Sequence, residues 1–136
     1  LAGDTQATRD DIRYRIETKV WRLSSKDGPV LLGVCGNYGH ALRVKEWIEG
    51  GGLDDAKPSI PDGELGISIV VIEGHAFTLE TGLVHAPIRQ PFFAIGSGAP
   101  YALAAMHCGK TAREAAEIAC EYDIYSSCPI TEVTLG

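Results

Sequence analysis

The sequence has no apolar run near the ~20 residues that a membrane-spanning helix requires, which excludes helical insertion into a bilayer. It also lacks a basic cluster: 12 Lys and Arg are scattered among 18 Asp and Glu, for a net charge of −6. Without a positive field the chain has little to offer a phosphate backbone, so nucleic acid is not expected as a partner. The four cysteines, Cys35, Cys108, Cys120 and Cys128, form no C-x-x-C pair. They read as small buried thiols in a reducing, cytoplasmic compartment. Four histidines, His40, His75, His85 and His107, lack the H-x-x-x-H and H-x-x-E-H spacings of zinc enzymes. Internal repeats and low-complexity segments are missing too. Position 1 is Leu rather than Met and nothing like a signal peptide follows it, so the expectation is that something upstream has been removed or left out.

What is present fits one soluble domain over 1–136, with 45% hydrophobic and 22% charged residues. Leu1 to Thr8 and Ile12 to Leu23 alternate in part, placing Ile12, Tyr14 and Ile16 on one face as half-buried strands require. Val30 to Cys35 is an unbroken apolar run, the pattern of a central strand covered on both faces. Ala41, Val44, Trp47 and Ile48 then recur at helical spacing until Gly50-Gly51-Gly52. From Gly50 to Gly66 the chain is rich in Gly, Pro and Asp and reads as a surface loop, with the acidic part from Asp54 to Glu64 facing solvent.

Ile67 to Ile72 and His75 to Thr81 flank Glu73-Gly74, a two-residue hairpin turn, and Pro91 to Ile95 supplies a further strand. Pro100 and Gly109 frame a helix over Tyr101 to Cys108. A capping box at Thr111-Ala112-Arg113-Glu114 opens another helix, whose buried stripe is Ala115, Ile118 and Ala119. Ile124 to Cys128 and Ile130 to Leu135 close the chain as strands. Runs of strands separated by runs of helices argue for antiparallel sheets with helices on their outer faces, an α+β architecture.

Two glycine-bearing strand-to-helix junctions, Gly33 to Gly39 and Gly96 to Gly98, either permit tight turns or present bare amides to a ligand or oxyanion. Neither has the Lys-Ser/Thr of a phosphate loop, nor the βαβ context of a dinucleotide fingerprint.

The run Phe93-Ala94-Ile95-Gly96-Ser97-Gly98-Ala99-Pro100-Tyr101-Ala102-Leu103-Ala104-Ala105, followed by Thr111 to Ala119, closely resembles the HslV and proteasome β-subunit family of N-terminal-nucleophile hydrolases. Leu1 to Thr8, Lys19-Val20-Trp21-Arg22-Leu23 and Gly33-Val34-Cys35-Gly36 resemble the same family in the same order. Asp123-Ile124-Tyr125-Ser126 is similar to the Asp-x-Tyr-Ser of proteasome catalytic subunits.

The resemblance implies a four-layer αββα sandwich of two antiparallel sheets flanked by helices. It also implies a threonine-type endopeptidase whose N-terminal hydroxyl attacks the peptide carbonyl while its own α-amine acts as base. An α-amine has an ordinary pKa of about 7.7–8.0, and a neighbouring ammonium lowers it toward working pH. Lys19 matches the family's lysine, Asp4 its carboxylate partner and Gly36 the oxyanion amide donor. Ser97 and Gly98 match residues bonded to the nucleophile region, and Asp123 and Ser126 those that orient it. No cofactor is required for this chemistry, although a loop of this kind offers backbone carbonyls to a cation, which implies a weak monovalent or magnesium-type site lined by Cys120, Asp123 and Ser126. The implied partners are polypeptide substrates and further copies of the chain in a ring, with an ATP-dependent unfoldase left open. Leu1 has no hydroxyl or thiol, so the expectation is that the first strand, with the nucleophile, precedes this sequence. A catalytically silent ring subunit and a non-peptidase amidohydrolase remain as alternatives.

Overall fold

The computed structural model describes residues 1–9, 12–51, 53 and 56–136. In chain order its elements begin with β1 (Ala2–Gly3), β2 (Gln6–Arg9), β3 (Ile12–Arg15), β4 (Val20–Ser25), β5 (Gly28–Gly36) and α1 (Tyr38–Gly50). Then come β6 (Gly66–Ile72), β7 (His75–Leu79), a 3₁₀ turn (Thr81–Leu83), β8 (His85–Pro87), α2 (Ala99–His107), α3 (Ala112–Tyr122) and β9 (Thr131–Glu132). The chain forms two compact units, Leu1–Val20 with Gln90–Val133, and Trp21–Arg89 with Thr134–Gly136. Among the described residues no helix is long and apolar enough to cross a membrane.

The second unit is built on a five-stranded sheet in the order β4-β5-β6-β7-β8. Antiparallel β5 and β6 run in register from Val30↔Ile72 to Gly36↔Gly66, so the apolar run at Val30 lies inside the sheet, one place from its middle strand. Glu73 and Gly74 both adopt positive φ, 49° and 77°, the conformation a two-residue hairpin needs to match strand twist. Helix α1 starts where the Asn37 side chain accepts the His40 amide at 3.1 Å. Its buried face, His40, Ala41, Val44, Trp47 and Ile48, includes all four residues picked out by spacing. Val44 and Ile48 join Leu32, Val70, Leu79 and Leu83 in the core, each such side chain contributing about 1.5–3 kcal/mol by burial. Of the expected loop at 50–66, Gly52, Asp54 and Asp55 lie outside the described residues, and 56–65 contains neither helix nor strand.

The first unit carries two short antiparallel ladders, β1 with β9 (Ala2↔Glu132, Gly3↔Thr131) and β2 with β3 (Gln6↔Arg15 to Arg9↔Ile12). Helix α3 opens on the anticipated capping box, in which Glu114 N–H donates to Thr111 Oγ1 and Thr111 N–H to Glu114 Oε2. Helix α2 ends with Gly109 at φ 89°, a left-handed stop.

Several expectations fail in this unit. Ile12 and Tyr14 are 68% and 46% exposed, because β2 and β3 form a ladder of their own and β3 buries neither face within it. Pro91 to Ile95 forms no strand; Pro91 has no N–H for a ladder, and the segment runs irregularly into Gly96 at φ 95°. Ile124 to Cys128 is a turn, since Asp123 takes the Tyr125 and Ser126 amides that a ladder would need. Ile130 to Leu135 shortens to the two residues of β9, which matches the two-residue length of β1. The cysteines are not buried either. Cys108 caps the end of α2 and Cys128 lies in irregular chain, both exposed, while Cys35 and Cys120 are half-buried.

Candidate active site

The site begins at the end of β1. A side chain on Gly3 would meet Val20 Cγ1 at 2.9 Å and Lys19 Cβ at 3.7 Å, so only glycine lets β1 lie against this stretch. The next residue, Asp4, accepts from the Lys19 ammonium at 2.6 Å through Oδ1. Its other oxygen accepts the amides of Gln6 at 3.1 Å and Ser127 at 3.0 Å. Both side chains are largely withdrawn from water, 21% exposed for Lys19 and 14% for Asp4, so the pair is less screened than a surface ion pair. An ammonium has three N–H donors, and Asp4 takes one of them through a carboxylate that is already anchored. The arrangement fixes a positive charge and keeps donors in hand for a further group.

A second cluster belongs to the same unit. Asp123, at the C-terminus of α3, accepts from Ser97 Oγ at 2.6 Å and Ser126 Oγ at 2.5 Å, both on Oδ2. Its Oδ1 accepts the Tyr125 amide at 3.3 Å. Burial alone would raise the Asp123 carboxyl, but the bonds from Ser126, Ser97 and Tyr125, together with the Lys19 charge, hold it below the usual carboxylate range. Asp123 is therefore an anion at neutral pH, and its oxygens orient two hydroxyls. Gly98 closes the cluster, since a Cβ there would meet Ala119 Cβ and Ser126 Oγ at 3.1 Å and Asp123 Oδ2 at 3.4 Å.

The structure thus brings six of the seven sequence-predicted residues, Asp4, Lys19, Ser97, Gly98, Asp123 and Ser126, into one unit. Gly36 ends β5 in the other unit. There it adopts φ 93°, and a Cβ would come within 2.6 Å of the Leu65 carbonyl oxygen, which accepts the Asn37 amide at 2.8 Å. Glycine is required at that position by both backbone conformation and space.

In the stretch expected to line a cation, burial and then the neighbouring Cys128 push the Cys120 thiol up to about 12, so its side chain stays protonated at neutral pH. Among the described residues no group of three or more His, Cys, Asp or Glu could hold a metal ion.

Three contributors escaped sequence reasoning. The Ser127 amide anchors Asp4 across 123 positions, and buried Gln6 ties the 124 turn down through Nε2 to the Ile124 carbonyl at 3.1 Å. Cys128 is the third, as neighbour of Cys120. A polar residue such as Gln6 inside an otherwise strand-like stretch was the one available signal.

No protein-family model matches this chain, and no curated protein matches it in sequence. Solved structures do. BPH from Thiobacillus denitrificans is 17% identical with a TM-score of 0.71, and BPH in complex with epoxomicin is 18% identical with 0.72. Eukaryotic HslV from Trypanosoma brucei is 20% identical with 0.70. Each likeness covers 96% of this chain and 88% of the other. Likeness at that coverage, with antiparallel sheets and three helices in place, shows that the chain has the α+β fold of HslV.

Proposed function

We propose that the protein is a threonine-type endopeptidase subunit of a self-compartmentalising, HslV-like protease. The observation that carries this reading is the 2.6 Å Lys19–Asp4 pair in the same unit as the Ser97–Asp123–Ser126 cluster. A fold shared with HslV, and with a BPH that binds epoxomicin, supports the same assignment.

In this mechanism the mature chain presents a hydroxyl-bearing residue at its amino terminus beside Lys19. The hydroxyl oxygen attacks the peptide carbonyl carbon, and the α-amine takes the proton and later delivers it to the leaving nitrogen. Lys19 disfavours a second positive charge nearby, which keeps that amine neutral and basic. Asp4 keeps Lys19 in place, and Asp123 aligns the Ser97 and Ser126 hydroxyls. Water then releases the acyl group. Assembly into a homo-oligomeric ring in the cytoplasm, fed with polypeptide by an ATP-dependent unfoldase, completes the proposal.

The test combines N-terminal sequencing of the mature protein with turnover of fluorogenic peptides, in the presence and absence of epoxomicin. Peptide hydrolysis suppressed by epoxomicin, from protein with Thr, Ser or Cys at its amino terminus, is the expected result. A mature protein without such a residue, cutting no peptide, assigns instead a catalytically silent ring subunit. Turnover of small amides alone assigns a non-peptidase amidohydrolase.

A further inference from the structure

Gln6 is the one buried residue of β2, 2% exposed, and the proposed mechanism makes no use of its side chain. Both donors of its amide group are engaged. Nε2 donates to Thr8 Oγ1 and to the Ile124 carbonyl, each at 3.1 Å. A carbonyl can only accept, so the NH₂ end is the one that faces Ile124. That orientation leaves Oε1 buried without a partner. The unpaired oxygen offsets part of what the two Nε2 bonds contribute, so the side chain is accounted for by what Nε2 holds rather than by stability gained.

What it holds is the turn after α3. There Ser126 Oγ donates to Asp123 Oδ2 at 2.5 Å, and the Ser126 amide donates to the Asp123 carbonyl at 3.1 Å. The turn is fastened on either side of that serine. At Ile124 the fastener is the Gln6 side chain; at Ser127 it is Asp4 Oδ2, which accepts the Ser127 amide at 3.0 Å. Asp4 Oδ2 also accepts the Gln6 amide at 3.1 Å. Gln6 therefore joins the carboxylate that holds Lys19 to the turn that carries Ser126, all within one unit.

We propose that Gln6 is a positioning residue of this site: its side-chain amide, oriented by Thr8, pins the Ile124 carbonyl and so sets where the Ser126 hydroxyl meets Asp123. Its effect on turnover rests on the peptidase reading; its hold on the turn does not. The two fasteners separate cleanly. A substitution at position 6 keeps the backbone N–H, so Asp4 retains its three donors, Lys19 Nζ and the amides of Gln6 and Ser127. Only Ile124 is released.

The test uses two variants of the full-length protein. Gln6→Met keeps the side-chain length and removes both donors. Thr8→Val, at an exposed position, removes only the acceptor that orients the Gln6 amide. Amide exchange at Tyr125 and Ser126 is expected to rise about tenfold over wild type in Gln6→Met and about threefold in Thr8→Val. Exchange at Gln6 and Ser127, both held by Asp4, is expected to stay within about twofold of wild type. On fluorogenic peptide, kcat of Gln6→Met falls about tenfold while KM stays within about twofold, because the hydroxyl aligns the reacting group and does not bind substrate. Unchanged exchange at Tyr125 and Ser126 in both variants would overturn the proposal. So would an equal rise at Gln6 and Ser127, the sign of general loosening, or a raised KM at unchanged kcat. A wild type that turns over no peptide defeats the peptidase reading, and the exchange pattern then decides the role of Gln6. If Gln6→Met does not fold, Thr8→Val supplies the answer.

Discussion

Replacing Asp123 with Asn tests the geometry of the cluster through stability. The native carboxylate takes three donors, the Ser97 and Ser126 hydroxyls on Oδ2 and the Tyr125 amide on Oδ1, and the residue is only 8% exposed. An Asn oxygen in the Oδ2 position keeps both hydroxyl bonds but removes their charge, and its NH₂ group faces the Tyr125 amide donor to donor. Bonds to charged groups contribute about 1.5–3 kcal/mol and neutral ones about 1 kcal/mol, so each hydroxyl bond weakens by about 1 kcal/mol and the amide bond is lost. Because two of the bonds share an oxygen, the sum is not strictly additive, and Asp123→Asn is expected to destabilise the protein by about 2–4 kcal/mol. Urea unfolding at pH 7 measures the cost, with amide exchange at Tyr125 and Ser126 locating it. Acidification supplies a signed control. Since the folded Asp123 pKa is depressed, its stabilisation is fully present above the ordinary value of 3.8 and disappears as pH falls through the folded value. The wild-type advantage over the Asn variant therefore shrinks below pH 3.8. A cost under ~1 kcal/mol at pH 7, or an advantage that grows with acid, refutes the reasoning.

Gly36→Ala puts a Cβ at 2.6 Å from the Leu65 carbonyl oxygen in a left-handed conformation, so a loss of about 2–3 kcal/mol is expected in thermal or urea unfolding. His40 is buried with neither ring nitrogen making a well-formed hydrogen bond. Burial lowers its pKa, and the nearby Glu64 carbonyl and carboxylate offset this only in part. Neutral His40 is thus tolerated above pH 6.5, and stability falls as pH drops from 6.5 toward the folded value. The His40→Leu variant should flatten the melting temperature against pH below 6.5, and an unchanged slope there would count against that origin.

What was legible in the sequence was local. The capping box at Thr111, the Glu73-Gly74 turn and the four-residue stripe of α1 each depend on residues within a few positions of one another, and each appears where its pattern stands. Failures came where distant chain decides. Asp4 meets Ser127, and Ala2 pairs with Glu132, so the turn after α3 and the shortness of β9 follow from contacts more than a hundred positions apart. Ile12 and Tyr14 alternate as strand residues should, yet pattern alone could not say that their ladder leaves both exposed. The Asp4–Lys19 pair was anticipated through family resemblance, which also assigned Ser97, Asp123 and Ser126 to the nucleophile region, but the bonds of both serines to Asp123 were not foreseen. His40 shows the opposite limit, since a lone polar residue on a helix gives no sign of whether it faces solvent or core.

In the proposed peptidase the Lys19 ammonium, held by Asp4 at 2.6 Å, tunes an N-terminal nucleophile. Peptide turnover by the mature protein carrying Lys19→Ala, with secondary structure and sedimentation checked alongside, addresses it most directly. An assembled, folded protein whose turnover is lower by about 10²-fold or more is the expected result. Turnover near that of wild type from the same preparation would contradict it.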